Sequence, residues 1–193
     1  MADTRSSLIA DATTLVRRRG YSGFSYADLA EAVGIRKPSI HHHFPSKEDL
    51  GVEIVAAYTQ RVSERLDDIT AASPDLGRRL GLYAGLYREG IAAGEGCLCG
   101  VLASELSGLP ARIRSGVERF FALNLEWLET ALLDAVPART ERRTELARRQ
   151  ARTVLATFQG AVFVALAMRS PETFDAAVSG LLSALGQASP DRA

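Results

Sequence analysis

The sequence predicts an all-α fold of about nine helices, with a helix-turn-helix close to the N-terminus. Three observations lead to this prediction. Apolar residues recur every three or four positions along most of the chain, glycine or proline interrupts each run, and no stretch alternates as a strand would. With 193 residues, 47% of them hydrophobic, the chain is long enough to bury a core in one or two domains.

The first predicted helix begins at Asp3 or Thr4 and ends near Arg19, with Gly20 as its stop. Its buried stripe is predicted to contain Leu8, Ala12 and Leu15. The cations Arg17 to Arg19 suit the negative end of the helix dipole, and a contact with phosphate is the alternative role.

The segment from Ser25 to Lys47, SYADLAEAVGIRKPSIHHHFPSK, predicts the helix-turn-helix. Ala30 is small enough for two helices to cross, Gly34 accepts the positive φ of a sharp turn, and Ile40 is a buried anchor for the second helix. Two capping signals, at Ser25 and Ser46, each have an acid three residues later. An ordinary helical hairpin is the alternative.

Six further helices are predicted from the remaining apolar periodicity and its breaks. They run from Ser46 to about Ala72, from Leu76 to Ile91, from Leu98 to Ser107, from Pro110 to Pro137, from Thr140 to the break before Pro171, and from there to about Leu185.

Charge is informative only locally. The net charge is zero, but the stretch between Arg36 and Lys47 holds three cations, three histidines and no acid, which suits a phosphate backbone. The run His41 to His43 also suggests a metal site. Consecutive helical residues point about 100° apart, however, so these three cannot converge on one ion.

The same segment resembles the DNA-binding domain of the TetR (tetracycline-repressor-like) family, whose usual run is roughly T-x-x-x-I-A-x-x-A-G-V-S-x-G-x-L-Y-x-Y-F-x-S-K-E-x-L. Ser25 stands at the initial Thr, Leu29-Ala30 at Ile-Ala, and Val33-Gly34-Ile35 at Ala-Gly-Val. The outright matches are Phe44, Ser46, Lys47, Glu48 and Leu50, and the departures are Arg36, Pro38, Ile40, His41 and His43.

The resemblance implies a DNA-binding domain over residues 1–46 and a helical effector-binding and dimerisation domain over residues 47–193. The recognition helix is expected at about Lys37 to His43, in the major groove of double-stranded DNA. The candidates for base-edge or groove contacts are Arg36, Lys37, Ser39 and His42, and those for phosphate contacts are Ser25, Tyr26, His41, His43 and Lys47.

Aromatic residues at helical spacing in the later helices are candidates for an effector cavity, since small-ligand sites are mostly apolar with a few polar groups. The resemblance implies an inducer pocket of this kind, and a plain core is the alternative. The candidate ligand-binding residues are Tyr83, Tyr87, Leu102, Glu105, Phe120, Asn124, Trp127, Phe158 and Gln159, with Phe163 as a further aromatic.

The last two predicted helices have wide apolar faces, which predict self-association as a homodimer. In the resembled family, two C-terminal helices of each subunit form a four-helix interface; completion of the monomer core is the alternative. The candidate interface residues are Leu155, Val162, Leu166, Phe174, Val178, Leu181 and Leu185.

The sequence argues against an enzyme. Residues 51–193 contain no histidine, so they lack the commonest general base, and no cofactor or metal is expected. Cys97 and Cys99 are interpreted as buried thiols, with a redox-sensing pair as the alternative. The predicted function is a homodimeric repressor that a small apolar or aromatic ligand releases from a palindromic operator. The alternatives are a thiol-sensing repressor and a helical carrier or enzyme with a vestigial helix-turn-helix.

A cytoplasmic location is expected. The N-terminus is short and polar with no apolar run behind it, no stretch approaches about 18 uncharged apolar residues, and two cysteines do not suggest a disulfide framework.

Overall fold

The computed structural model describes residues 4–135 and 140–187, and within these ranges it contains helices and no strand. The prediction of an all-α fold with about nine helices is confirmed. The α-helices are α1 (Thr4–Arg19), α2 (Tyr26–Val33), α3 (Lys37–His43), α4 (Lys47–Ala72), α5 (Leu76–Ala92), α6 (Leu98–Ser104), α7 (Ala111–Asp134), α8 (Glu141–Met168) and α9 (Pro171–Gln187). A single 3-10 turn, Leu106–Gly108, follows α6. Asp3 and Pro137, a predicted cap and stop, lie outside the described residues.

Local signals set the ends of the first helices as predicted. Gly20 ends α1 with φ 80°, and Gly34 ends α2 with φ 74°, a conformation that costs glycine little. Ser25 caps α2 in a complete capping box, because its side chain accepts from the Asp28 N–H while the Asp28 carboxylate accepts from the Ser25 N–H at 2.7 Å.

The chain divides into two compact units. Unit 1 comprises residues 4–63 and 97–121, and unit 2 comprises residues 64–96, 122–135 and 140–187. Helices α4 and α7 each contribute residues to both units. This division differs from the boundary expected between residues 46 and 47, which stays a prediction about function.

In unit 1, α1 packs on α2 and on α6, and α2 packs on α3. The core of this unit contains fully buried aliphatic side chains from several helices, among them Leu8, Leu29, Ile40, Leu50, Leu98 and Ile113. Burial of each such side chain contributes about 1.5–3 kcal/mol. The short helices α2 and α3 are therefore stabilised by their neighbours, since isolated helices of this length are unstable in water.

In unit 2, α8 and α9 form the most extensive helix pair, and both also pack on α5. Helix α8 contains an 18-residue window with a mean hydropathy of 1.5, so by length and composition it is apolar enough to cross a membrane. The sequence-based expectation that no stretch approaches such a span is corrected here. The buried residues of α8 face the core of unit 2, which gives this apolarity a role in packing.

Candidate functional site

The recognition helix α3 combines one buried anchor with an exposed polar surface. Ile40 is fully buried. The exposed residues on and beside this helix are Arg36, Lys37, Ser39, His41 and His42, and His43 is half-buried. A single anchored residue leaves most of the helix surface available to a groove, as a helix-turn-helix requires. Ser25, at the N-terminus of α2, is exposed as well.

Tyr26, predicted to contact phosphate, has an internal role in the structure. Its side chain is 6% exposed, and its hydroxyl donates to the carbonyl oxygens of Phe44 at 3.0 Å and Ser46 at 2.6 Å. Burial and the charge of Asp49 raise the pKa of Tyr26 to about 12, so it remains a neutral donor. Tyr26 therefore ties α2 to the junction between α3 and α4.

Lys47 was also predicted to contact phosphate, and its ammonium group points into unit 1. The Nζ atom donates to the carbonyl oxygens of Tyr21 at 2.6 Å and Phe24 at 2.5 Å, and it lies 4.6 and 4.3 Å from the centroids of their rings. Burial lowers the pKa of Lys47 from its ordinary value, although the charges of Glu105 and Asp28 oppose this. Two internal acceptors leave this cation little capacity for DNA.

The histidines are arranged by neighbouring rings. The His41 ring meets the Tyr26 ring edge-on at 4.9 Å, and its Nδ1 lies 3.3 Å from the Pro45 carbonyl oxygen. His42 and His43 are 5.5 Å apart by ring centroid. Among the described residues, no three His, Cys, Asp or Glu side chains are grouped so that they could hold a metal ion.

Six of the predicted ligand-binding residues come together in unit 2. The Tyr83 hydroxyl donates to Asn124 Oδ1 at 2.9 Å and lies 2.8 Å from the Tyr87 hydroxyl, to which Gln159 Nε2 donates at 3.4 Å. Tyr83 stacks on Phe158 at 5.6 Å and lies 5.2 Å from Trp127. We call Tyr83, Tyr87, Asn124, Trp127, Phe158 and Gln159 the aromatic cluster. Its polar atoms bond to one another inside apolar surroundings, as in many small-ligand sites.

The other three predicted ligand residues belong to unit 1 and are not part of this cluster. Leu102 is 1% exposed in α6, and Phe120 packs 5.6 Å from Tyr58. Glu105 accepts from the backbone N–H groups of Tyr21 and Ser22, so its carboxylate is used inside unit 1.

A surface groove of about 430 Å³ in unit 2 was not anticipated from the sequence. It lies between α7 and α8, with Leu125 and Leu133 among its apolar residues and Arg148 and Arg152 among its polar ones. Its volume falls in the range of small-molecule sites. Arg148 already pairs with Glu129 at 3.0 Å. Sequence periodicity does not reveal such a groove, because it depends on how far apart two helices lie.

The predicted dimer residues require a correction. Leu155, Val162, Phe174 and Val178 are at most 6% exposed within the single chain, because they form the contact of α8 with α9 and α5. Leu166, Leu181 and Leu185 are half-buried. The large apolar residues that do face solvent on α8 are Phe163 (39% exposed), Val164 (47%) and Met168 (66%). Phe163, predicted as a cavity aromatic, therefore lies on the outer surface.

The two cysteines are buried in unit 1 as free thiols. Burial, with a smaller effect of Cys97, raises the pKa of Cys99 well above its ordinary value. Cys97 Sγ accepts a weak hydrogen bond from the Tyr58 hydroxyl at 3.8 Å. Because the thiolate is the reactive form, the environment of Cys99 favours packing over redox chemistry.

A three-helix head, with an exposed basic recognition helix anchored by one buried isoleucine, defines a helix-turn-helix DNA-binding regulator. Comparison with known proteins narrows this class. The family model described as "Bacterial regulatory proteins, tetR family" matches residues 8–54. A TetR-family transcriptional regulator from Agrobacterium tumefaciens has a similar structure with a TM-score of 0.85 and 34% identity, covering 93% of this chain and 95% of that one.

Two curated relatives agree with this result. The transcriptional repressor DhaR of Mycobacterium sp. (strain GP1) is 26% identical over 94% of this chain and 91% of its own length. The transcriptional repressor NemR of Escherichia coli (strain K12) is 32% identical over 61% of each chain. The chain belongs to the TetR family and is a DNA-binding transcriptional repressor. Such regulators bind DNA operators and typically act as dimers that respond to small-molecule effectors.

Proposed function

We propose that the chain is a homodimeric repressor that binds a palindromic operator through α3 and leaves it when a small, uncharged aromatic ligand enters unit 2. The observation that carries this proposal is the division of labour around α3. Ile40 holds the helix in the core, while Arg36, Lys37, Ser39 and His42 remain exposed beside it. These four side chains are the groove contacts.

Phosphate contacts come from Ser25, His41 and His43, near the N-terminus of α2 and the end of α3. The N-terminus of α2 adds its dipole and free N–H groups, which favour an anion. Tyr26 and Lys47 leave the list of direct contacts, because their polar atoms already bond to backbone carbonyl groups. Their role is to hold the shape of the head.

Dimerisation uses the outer surface of α8 and α9. Phe163, Val164 and Met168 lie at i, i+1 and i+5 of α8, so they share one side of it, and exposed Gly180 and half-buried Leu181 lie on α9. Apolar residues grouped on one exposed surface mark an interaction site. A two-fold axis through this surface presents two recognition helices to the two halves of a palindrome.

The aromatic cluster is the effector site within this proposal. It contains no charged side chain, and its polar atoms are hydroxyl and amide groups. These groups favour a ligand with an aromatic ring and one or two neutral hydrogen-bonding groups. A charged ligand is disfavoured, because an unpaired charge is costly in a buried site. Release of DNA by a hundredfold requires a coupling free energy of about 2.7 kcal/mol between the two sites.

The DNA-binding surface is tested by salt dependence. Operator affinity is measured against salt concentration for Lys37→Ala and for Arg78→Ala, an equal charge change at an exposed residue of α5. Loss of one phosphate contact per subunit lowers the slope of log affinity against log salt by about 0.9 per contact. Lys37→Ala lowers the affinity or the slope, and Arg78→Ala changes neither. Equal behaviour of the two variants would refute the assignment of α3.

The effector site is tested through Trp127, the one tryptophan in the sequence. Uncharged phenols and aromatic amides are titrated while Trp127 emission and operator binding are recorded together. The expected result is that both change over the same ligand concentrations, and that Tyr83→Phe shifts both curves to higher concentration. A ligand that releases DNA without altering Trp127 emission would place the effector elsewhere, with the groove between α7 and α8 as the next site to test.

A further inference from the structure

The turn between α1 and α2, residues 20–25, is held from two sides by opposite charges. On one side, Glu105 Oε1 accepts from the Tyr21 N–H at 2.9 Å and Oε2 accepts from the Ser22 N–H at 3.0 Å. On the other side, Lys47 donates to the carbonyl oxygens of Tyr21 and Phe24. Four backbone groups of one turn therefore bond to two charged side chains, and hydrogen bonds of this kind are stronger than neutral ones.

The turn is shaped to admit the carboxylate. Gly20 has φ 80°, and a Cβ built on it would lie 2.0 Å from Glu105 Oε1. Any other residue at this position would meet both an unfavourable backbone conformation and the carboxylate itself. Burial raises the pKa of Glu105, but the hydrogen bonds from Ser22 and Tyr21 and the charge of Lys47 outweigh it, so the pKa lies below its ordinary value. The carboxylate is therefore ionised at neutral pH.

The held turn leads directly into the DNA-binding elements. Phe24, whose carbonyl bonds to Lys47, precedes the α2 cap Ser25, and Tyr26 then ties the start of α2 to the end of α3. The position of the turn thus sets where the N-terminus of α2 lies relative to the recognition helix. Docking of a rigid head onto DNA requires this spacing, because phosphate contacts fix the register in which base edges are read.

We propose that Glu105 is a positioning residue for operator recognition. It lies 84 residues beyond Tyr21, just after α6, and it fixes the α1–α2 turn from that distance in the sequence. The prediction that Glu105 binds the effector is replaced by this role. The mid-chain segment that contains α6 is thereby part of the DNA-binding machinery, although it never has to touch DNA.

The sign of the effect separates positioning from electrostatics. Glu105 carries a negative charge, so its removal makes the protein more positive and, through charge alone, strengthens binding to any DNA. Positioning predicts the opposite for the operator. Glu105→Gln keeps the size of the side chain and one carbonyl oxygen but loses the charge and one of the two acceptors. Glu118→Gln, at an exposed residue of α7 in the same unit, makes the same change in charge.

The experiment uses full-length protein and two DNA probes: a duplex that the wild type selects from a random-sequence library, and a random-sequence duplex of equal length. Glu105→Gln is expected to bind the selected duplex about tenfold more weakly, which corresponds to about 1.4 kcal/mol, and the random duplex no more weakly than the wild type. Glu118→Gln is expected to bind both probes at least as tightly as the wild type. Affinities are corrected for the active fraction of each preparation.

Two further measurements distinguish positioning from general loss of structure. In ¹⁵N NMR spectra of Glu105→Gln, the amide signals of Tyr21 and Ser22 should move and exchange faster, while that of Gly34, the C-cap of α2, stays in place. Gly20→Ala should also weaken binding to the selected duplex, and combining it with Glu105→Ala should cost less than the sum of the two single changes, because the added methyl group no longer meets a carboxylate.

The proposal is overturned if Glu105→Gln binds the selected duplex as tightly as Glu118→Gln does. It is also overturned if both probes weaken equally, or if the Tyr21 and Ser22 amides are unaffected. If Gly20→Ala does not fold, the comparison of Glu105→Gln with Glu118→Gln decides the question alone.

Discussion

Two valines in the last helices of the chain allow the dimer surface to be separated from the core. Val178 is 3% exposed within the single chain, whereas Val164 is 47% exposed. Both would have been assigned to an apolar face from the sequence alone. Replacement of each by arginine should therefore have different consequences if the interface is the outer surface of α8 and α9.

The magnitudes follow from burial. An unpaired charge at Val178 costs about 3–5 kcal/mol, a large part of the roughly 5–15 kcal/mol that stabilises a typical domain. For a chain of this length, this lowers Tm by roughly 6–20 °C. Val164→Arg changes the stability of the isolated subunit by only about 0.5 kcal/mol. In a two-fold dimer, however, it introduces two charges into one interface, since each subunit contributes the same residue.

The assay combines sedimentation equilibrium with thermal unfolding followed by circular dichroism. Val164→Arg should sediment as a folded monomer and bind a palindromic duplex more weakly than the wild type. Val178→Arg should unfold at a lower temperature than Val164→Arg or accumulate as insoluble protein. Ala71→Arg, at an exposed residue near the end of α4, is the control for an added surface charge and should remain a dimer.

Two results would refute this reasoning. A Val164→Arg protein that sediments as a dimer at micromolar concentration would move the interface away from this surface. A Val178→Arg protein that is a stable monomer with the Tm of the wild type would return Val178 to the interface and would contradict its burial in the core.

Three further predictions follow from unit 1. Glu105→Gln should flatten the loss of thermal stability between about pH 5 and pH 3, because the lowered pKa of Glu105 stabilises the wild type above its unfolded value and this contribution disappears as pH falls through the folded one. Gly51→Ala should lower the free energy of unfolding in urea by about 1–3 kcal/mol, because the new Cβ would lie 2.4 Å from Ile113 Cδ1; an unchanged midpoint would show that Ile113 moves freely. Cys97→Ser combined with Cys99→Ser should leave effector-induced release of DNA unchanged in a gel-shift titration, and loss of release in that variant, with oxidant releasing the wild type, would establish a thiol trigger.

The parts of the structure that sequence reasoning anticipated are those in which cause and effect lie within one helical turn. The capping box at Ser25 and the stop at Gly34 depend on neighbours three or four residues away, so the sequence contains all the information they need. The buried anchor Ile40 was predictable for the same reason, since periodicity alone identifies the inner side of a helix.

The parts that it missed depend on distant partners. The acceptor groups of Lys47 are backbone carbonyls more than twenty residues earlier, and carbonyl positions cannot be read from side-chain identity. An apolar repeat such as that of Phe174 and Val178 states that one side of a helix is covered, but not whether the cover is another helix of the same chain or a second subunit. For that reason the dimer surface was placed on the core side of α9.

The internal use of Lys47 changes the balance of forces expected at the operator. Of the three Lys and Arg side chains between residues 36 and 47, Arg36 and Lys37 are exposed and Lys47 bonds within unit 1. Each neutralised phosphate contributes about 0.9 to the salt dependence, so a head with few outward cations has a shallow one and binds random DNA weakly at physiological salt. Recognition must then depend on base-edge contacts from α3 and on the accuracy with which the two helices of the motif are placed. A head of this kind has more to lose from a displaced turn than from a lost surface charge, which is why the buried contacts of Tyr26, Lys47 and Glu105 matter as much for DNA binding as the exposed residues of the recognition helix.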